Sequence, residues 1–248
     1  MFSGIKLALW VRILKLRDSS LRLPGDTSQS LEASKLWPVL VSHSTPVVVD
    51  IGANDGITLS NSYFFVQKGW RAILVEPLYD SLEKAKAIHK NSPLVEFVEA
   101  AISDKPGTAK IFLDKVGEAN LFATITEEPT RLKKKYVSDS QFKIVETSTL
   151  QEVLNKFQIP NEFALLSIDV EGHESKVLAT LGSHRPSIIL IERSLESCEE
   201  SLKKQQILTS FEYIFAARIG CNEVYINSKS EFIKSKLEFF ADLSSIGI

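Results

Sequence analysis

The sequence predicts an α/β fold, a Rossmann-like three-layer sandwich with a mostly parallel seven-stranded sheet and an antiparallel edge strand. Three observations predict it. Short β-branched runs alternate with segments of helical length, the rhythm of parallel strands covered on both faces. The run Val47–Ile51 carries an acid, Asp50, and passes straight into a turn spaced by Gly52 and Gly56. Near the end two strand-like segments follow one another with no obvious helix between them, as an antiparallel pair at a sheet edge would.

The chain has 248 residues, enough for one α/β domain with additions. We divide it into an N-terminal arm or helix plus linker (1–30) and a nucleotide-binding domain (31–248) with its core at 46–227. Phe2 to Leu16 is apolar but broken by Lys6, Arg12 and Lys15, too short and too charged to span a bilayer. It reads as a flanking helix or arm, with weak membrane-surface contact as the other reading. A net charge of −2 supplies no general attraction to nucleic acid. Cys198 and Cys221 have neither CxxC nor metal spacing, so they read as free thiols of a reducing, cytoplasmic compartment.

Taken in order, Ser19–Ser30 is rich in Ser, Pro, Gly and Asp and reads as a loop. Leu31–Val41 predicts a short helix broken at Pro38. Val47–Ile51 is the first strand, and Thr58–Gln67 a helix closed by Gly69. Arg71–Glu76 is the second strand, stopped by Pro77, and Tyr79–Lys90 the next helix. Leu94–Ile102 predicts a third strand and Ala109–Leu113 a short extra one. Positions 116–140 are irregular and hold the basic run Arg131–Lys135, read as a solvated face. Phe142–Thr147 is a further strand and Thr149–Phe157 a helix. Phe163–Asp169 and Ser187–Glu192 are buried strands, with a helix at Glu174–Leu181 between them and another at Leu195–Ser210. Glu212–Ala217 and Glu223–Asn227 are the closing pair, and a helix covers about Glu231–Phe240.

Ligands of such sheets gather at the carboxyl ends of the strands, where Asp50 sits. Glu76 ends the second strand 20 positions after Gly56, where an acid can accept hydrogen bonds from a ribose diol. The turn reads D-x-G-x-N-x-G rather than GxGxxG. An acid before the first glycine repels a diphosphate and suits a ligand carrying an ammonium and a sulfonium. S-adenosylmethionine carries both, so electrostatics favours it over NAD.

Asp169, Glu171 and His173 follow the strand at Phe163, with Gly172 between the last two. They predict three proton-handling side chains at the same sheet edge. His173 is suited to act as general base for a hydroxyl. Asp169 or Glu171 would orient the imidazole or acceptor, or hold the cofactor's amino group. Acids there also simply favour a helix N-terminus. D-x-E-x-H offers hard oxygen ligands, but we assign no metal. Glu192 is the first candidate for a further ligand, with a salt bridge to Arg193 as its plainer reading. Trp37 and Trp70 read as packing residues.

Three blocks, VVVDIGANDG, GWRAILVEP and LLSIDVEGHE, make the stretch Pro46–Ile226 resemble the FkbM-type family of S-adenosylmethionine-dependent methyltransferases. The resemblance implies O-methylation, with sugar hydroxyls of glycans or glycolipids and macrolide-type natural products as acceptors. It implies that Asp50, Gly52, Asn54 and Gly56 wrap the methionine end of the cofactor and that Glu76 holds the ribose. Ala101 and Ile102, by position, would lie beside the adenine, without the acid that many relatives have there. An NAD-dependent oxidoreductase and a non-catalytic S-adenosylmethionine-binding module are the alternatives. The former lacks the middle glycine and a placed Tyr-x-x-x-Lys pair.

Overall fold

The structure, a computed structural model, describes residues 22–114, 123–125, 137–193 and 198–236. The N-terminal apolar stretch, the basic run at 131–135 and the end of the C-terminal helix lie outside them. The helices are α1 (Glu32–Leu40), α2 (Tyr63–Gln67), α3 (Tyr79–Ile88), α4 (Leu150–Lys156), α5 (Glu174–Ala179), α6 (Cys198–Ser210) and α7 (231–236). The strands are β1 (Val47–Ile51), β2 (Arg71–Val75), β3 (Val95–Val98), β4 (Ala101–Ile102), β5 (Gly107–Asp114), β6 (Val137–Ser148), β7 (Leu165–Ile168), β8 (Ile188–Glu192), β9 (Tyr213–Ile219) and β10 (Asn222–Asn227).

Seven strands form one sheet in the order β3-β2-β1-β7-β8-β10-β9. The first five run parallel, and β10 is antiparallel to both its neighbours. The chain winds from β1 toward β2 and β3, then returns to lay β7 on the other side of β1. A crevice therefore opens at the carboxyl ends of β1 and β7, the switch point of the sheet. Alternation along the strands feeds two cores. Val48, Leu74, Leu165 and Leu190 pack with α1 and α2 on one face. Val49, Ile73, Leu166 and Ile189 pack with α4 and α5 on the other. Trp37 and Trp70 pack with Phe65 on the first face, as expected. No helix among the described residues is long and apolar enough to cross a membrane.

Three elements differ from the sequence prediction. First, α1 runs through Pro38 unbroken. A proline removes one donor and crowds the preceding turn, but Val41 N–H still bonds to Trp37 O at 2.9 Å. Burial of Ala33, Leu36, Val39 and Leu40 holds the helix together. Second, α2 begins at Tyr63, not Thr58. Asp55 Oδ1 accepts from Ile57 N and Thr58 N, and Leu59 is left-handed, so these residues are spent in turns. Third, the strand at Leu94–Ile102 divides. β3 stays in the main sheet, whereas β4 joins a second, three-stranded sheet ordered β4-β6-β5. That small sheet becomes a wall of the crevice.

Residues 22–31 are more than a loop. Asp26, nearly buried, accepts hydrogen bonds from the backbone N–H and the hydroxyl of both Ser28 and Ser34. A parallel bridge between Ser28 and Leu59 joins the segment to the turn after β1. Asp26→Ala leaves these buried donors without their acceptor and should cost about 3 kcal/mol or more. Urea unfolding of the variant should show a lowered midpoint with an unchanged slope; an unchanged midpoint contradicts the anchoring role.

Candidate active site

The turn after β1 is built by steric demand. Gly52 has φ +87°, and a Cβ there would lie 1.8 Å from the carbonyl oxygen of Asp169. The ends of β1 and β7 thus approach so closely that a side chain does not fit. Beneath the turn, Ser62 Oγ donates to Asp50 Oδ2 at 2.5 Å. Burial pushes the Asp50 carboxyl above its usual range, opposed by hydrogen bonds from Ser62 and Ser167. Asn54 is also left-handed, at φ 48°, and its N–H donates to Glu76 Oε2 at 3.0 Å.

Asp50, Gly52 and Asn54 line a cavity of about 400 Å³. Gly56 does not. It packs on α3, where a Cβ would meet His89 Nε2 at 3.0 Å, and its carbonyl lies 3.0 Å from that nitrogen. Gly56 therefore lets the turn settle against α3, a packing role, and does not border the ligand space.

Glu76 faces the same cavity. Its Oε1 accepts from Leu78 N at 2.9 Å and its Oε2 from Asn54 N, so both oxygens are held in a fixed plane. Burial outweighs these two bonds and pushes the carboxyl up to about 7. Ala101, Ile102 and Ile111 from the small sheet line the cavity beside Ala123 and Ile125. This end is apolar and carries no acid among the described residues, as expected from Ala101.

The second constellation assembles differently from expectation. Because β7 and β8 pair in parallel, with Ile168 opposite Ile191, the next residues, Asp169 and Glu192, emerge side by side. Carboxylate oxygens of Asp169, Glu171 and Glu192 lie within 4.8 Å of one another. All three residues line the cavity. Carboxylates this close repel each other, and a proton or a cation between them would relieve that repulsion. Burial and mutual repulsion push both carboxyls up. Arg193 Nε lies 3.3 Å from Glu223 Oε1. The nearby cation is Lys204, nearly buried, which donates to the Glu192 backbone carbonyl at 3.2 Å and pairs with Glu223.

His173 lies apart from this group, so the geometry does not favour it as the base. Glu171 (φ 57°) and Gly172 (φ 102°) are both left-handed and turn the chain away. His173 becomes the N-cap residue of α5, and its Nε2 lies 3.0 Å from Ser103 Oγ, off the cavity wall. Burial, then Lys176, holds its imidazole down at about 4. Without His173 the D-x-E-x-H set is not a single ligand set. Sequence reasoning missed Gln29, Asn61, Cys221 and Asn222, which also line the cavity. Cys221 Sγ donates to Gln29 Oε1 at 3.1 Å, and Asn222 Nδ2 donates to Glu32 Oε1 at 2.9 Å. These contacts tie residues 29–32 to β10, across a sequence distance that no local pattern announces. Cys198 and Cys221 are free thiols, as expected.

Residues 50–230 match the protein family described as "Methyltransferase FkbM domain". No curated protein matches the chain. Among solved structures, it is similar to the methyltransferase FkbM from Methylobacillus flagellatus KT, with 14% identity, 90% of this chain and 59% of that chain covered, and a TM-score of 0.47. The chain thus spans less than two thirds of that relative. It is also similar to the precorrin-6y C5,15-methyltransferase from Geobacter metallireducens GS-15, with 12% identity, coverages of 82% and 89%, and a TM-score of 0.43. The bifunctional kinase-methyltransferase WbdD is matched at 12% identity, with coverages of 79% and 37% and a TM-score of 0.43.

The raised Glu76 carboxyl makes a pH prediction. Its folded-state value, about 7, lies above the ordinary 4.5, so the stability it contributes is present below about 4.5 and lost as pH rises through about 7. Relative to Glu76→Gln, the wild type should lose about 3 kcal/mol of stability between pH ~4.5 and pH ~8.5. Urea unfolding of both proteins at the two pH values measures this; a constant difference contradicts the burial of that charge.

Proposed function

Because the chain belongs to the FkbM methyltransferase family, its match covering residues 50–230, we propose a specific reaction for it. It takes S-adenosylmethionine as methyl donor and methylates an oxygen, the acceptor being a sugar hydroxyl of a glycan, glycolipid or related natural product. One observation carries this reading. Asp50, Glu76, Asp169, Glu171 and Glu192 all line the cavity, and no Lys, Arg or His lines it among the described residues. Such a space favours a cationic nucleotide over a dinucleotide diphosphate.

When bound, S-adenosylmethionine supplies a methyl group on a positively charged sulfur. The chain's own residues do the rest. Glu76, its plane held by two backbone N–H groups, accepts from the ribose diol. The turn at Gly52–Asn54, with Asp50 under it, receives the methionine end. Ala101, Ile102 and Ile111 give the adenine an apolar slot. Asp169 and Glu171 orient the acceptor hydroxyl in line with the departing sulfur, within reach to take its proton. The acidic rim favours a neutral hydroxyl at the point of transfer. A phosphate or carboxylate beside it would be repelled.

Isothermal titration tests the donor. S-adenosylhomocysteine should bind and NADH should not; the reverse result overturns the reading in favour of an oxidoreductase. Glu76→Ala should weaken S-adenosylhomocysteine at least about tenfold. Labelled S-adenosylmethionine offered with a panel of methyl-free surface glycans tests the reaction. Asp169→Ala should abolish methyl incorporation. His173→Ala should keep the wild-type pH profile, because its imidazole lies off the cavity; loss of the acidic limb in that variant would restore it as the base. Binding of the nucleotide with no transfer to any hydroxylated acceptor would favour a non-catalytic module.

A further inference from the structure

With His173 turned away, the acceptor's proton falls to the carboxyl groups of the cavity. Glu192 lies at the end of β8, one strand over from Asp169, and the parallel register sets the two carboxyl groups side by side. Both line the cavity, and their carboxyl oxygens lie within 4.8 Å of each other. Two like charges that close resist ionising together, so the pair favours keeping one proton. The surroundings favour retaining that proton in the free protein. Glu171 from the loop after β7, Glu174 at the start of α5, and Asp50 from β1 add negative charge. Lys204 from α6 and Arg193 are paired with Glu223 of β10. Cys221 beside the cavity is pushed up to about 11 by burial and stays a thiol.

We propose that Glu192 is a further catalytic residue: with Asp169 it forms a carboxyl pair that holds a proton in the free protein, releases it when the sulfonium nucleotide binds, and then accepts the acceptor's hydroxyl proton. This rests on the donor assignment made above. A positive sulfur entering this cavity stabilises the ionised pair, so a base is created when the methyl donor is in place. In the transfer step the acceptor oxygen forms its bond to the methyl carbon. The carbon–sulfur bond breaks with its electron pair going to sulfur. The hydroxyl proton passes to the pair, which is thereby returned to its starting state. The neutral product then leaves a protonated pair behind.

The test needs no acceptor. S-adenosylmethionine and S-adenosylhomocysteine differ in the methyl and the charge on sulfur, while Glu76 contributes the same pH dependence to both. Titration calorimetry of the full-length chain from about pH 6 to about pH 9, in buffers of different ionisation enthalpy, reads the proton count. S-adenosylmethionine should release about half a proton or more beyond S-adenosylhomocysteine and should gain at least about tenfold more affinity over that range. Glu192→Gln should lose this excess while still binding S-adenosylhomocysteine, and Glu192→Asp should keep it.

Equal pH slopes for the two ligands in the wild type overturn the inference without touching the donor assignment, and they decide it even if Glu192→Gln fails to fold. An excess that survives in a folded Glu192→Gln variant also overturns it. So does an excess that appears only with added magnesium, which would mean that the carboxylates hold a cation. If neither nucleotide binds the wild type, the donor assignment itself fails and this inference with it.

Discussion

The contact between Gly52 and the backbone of Asp169 is the constraint on which the site depends. It brings the carboxyl ends of β1 and β7 together at the point where the sheet changes winding direction. From it follow the turn that carries Asn54 to Glu76 and the placing of Asp169 beside the turn. Asp169 N–H closes the join on Ile51 O at 2.9 Å. Each side of the crevice then has its own task. The β1–β2 side presents a fixed carboxylate at Glu76. The β7–β8 side presents two acids side by side.

A cavity with five carboxyl groups on its wall is unfavourable without a ligand, and the fold offsets the charge in different ways. Asp50 is hydrogen-bonded by Ser62 and Ser167. Glu76 takes two backbone N–H groups. Lys204 is buried nearby but is committed to Glu223 and a backbone carbonyl. The carboxyls stay raised because these arrangements only partly replace water. A cationic ligand of the kind proposed would supply the remaining compensation.

Much of this was legible in the residues. Val47–Ile51, Arg71–Glu76 and Ser187–Glu192 are apolar runs, and fully covered strands leave that signature. Asp50, Gly52, Asn54 and Glu76 could be placed because a strand-end acid and a glycine turn are local features. Other parts failed for physical reasons. Thr58–Ser62 has helix-compatible residues, yet Asp55 and Ser60 capture the backbone donors first. His173 stands four residues after Asp169, but two consecutive left-handed residues send it elsewhere, and φ is invisible to spacing. Glu192 was only a secondary candidate because its place beside Asp169 comes from strand register across 23 residues. Gln29 and Asn222 meet the cavity through contacts that join opposite ends of the chain.

A crystal structure of the protein with S-adenosylhomocysteine would test the central claim most directly. The account predicts both ribose hydroxyls within hydrogen-bond distance of Glu76, the sulfur facing Asp169 and Glu192, and the adenine against Ala101 and Ile102. A nucleotide bound away from the β1–β7 crevice, or one whose ribose ignores Glu76, would contradict it.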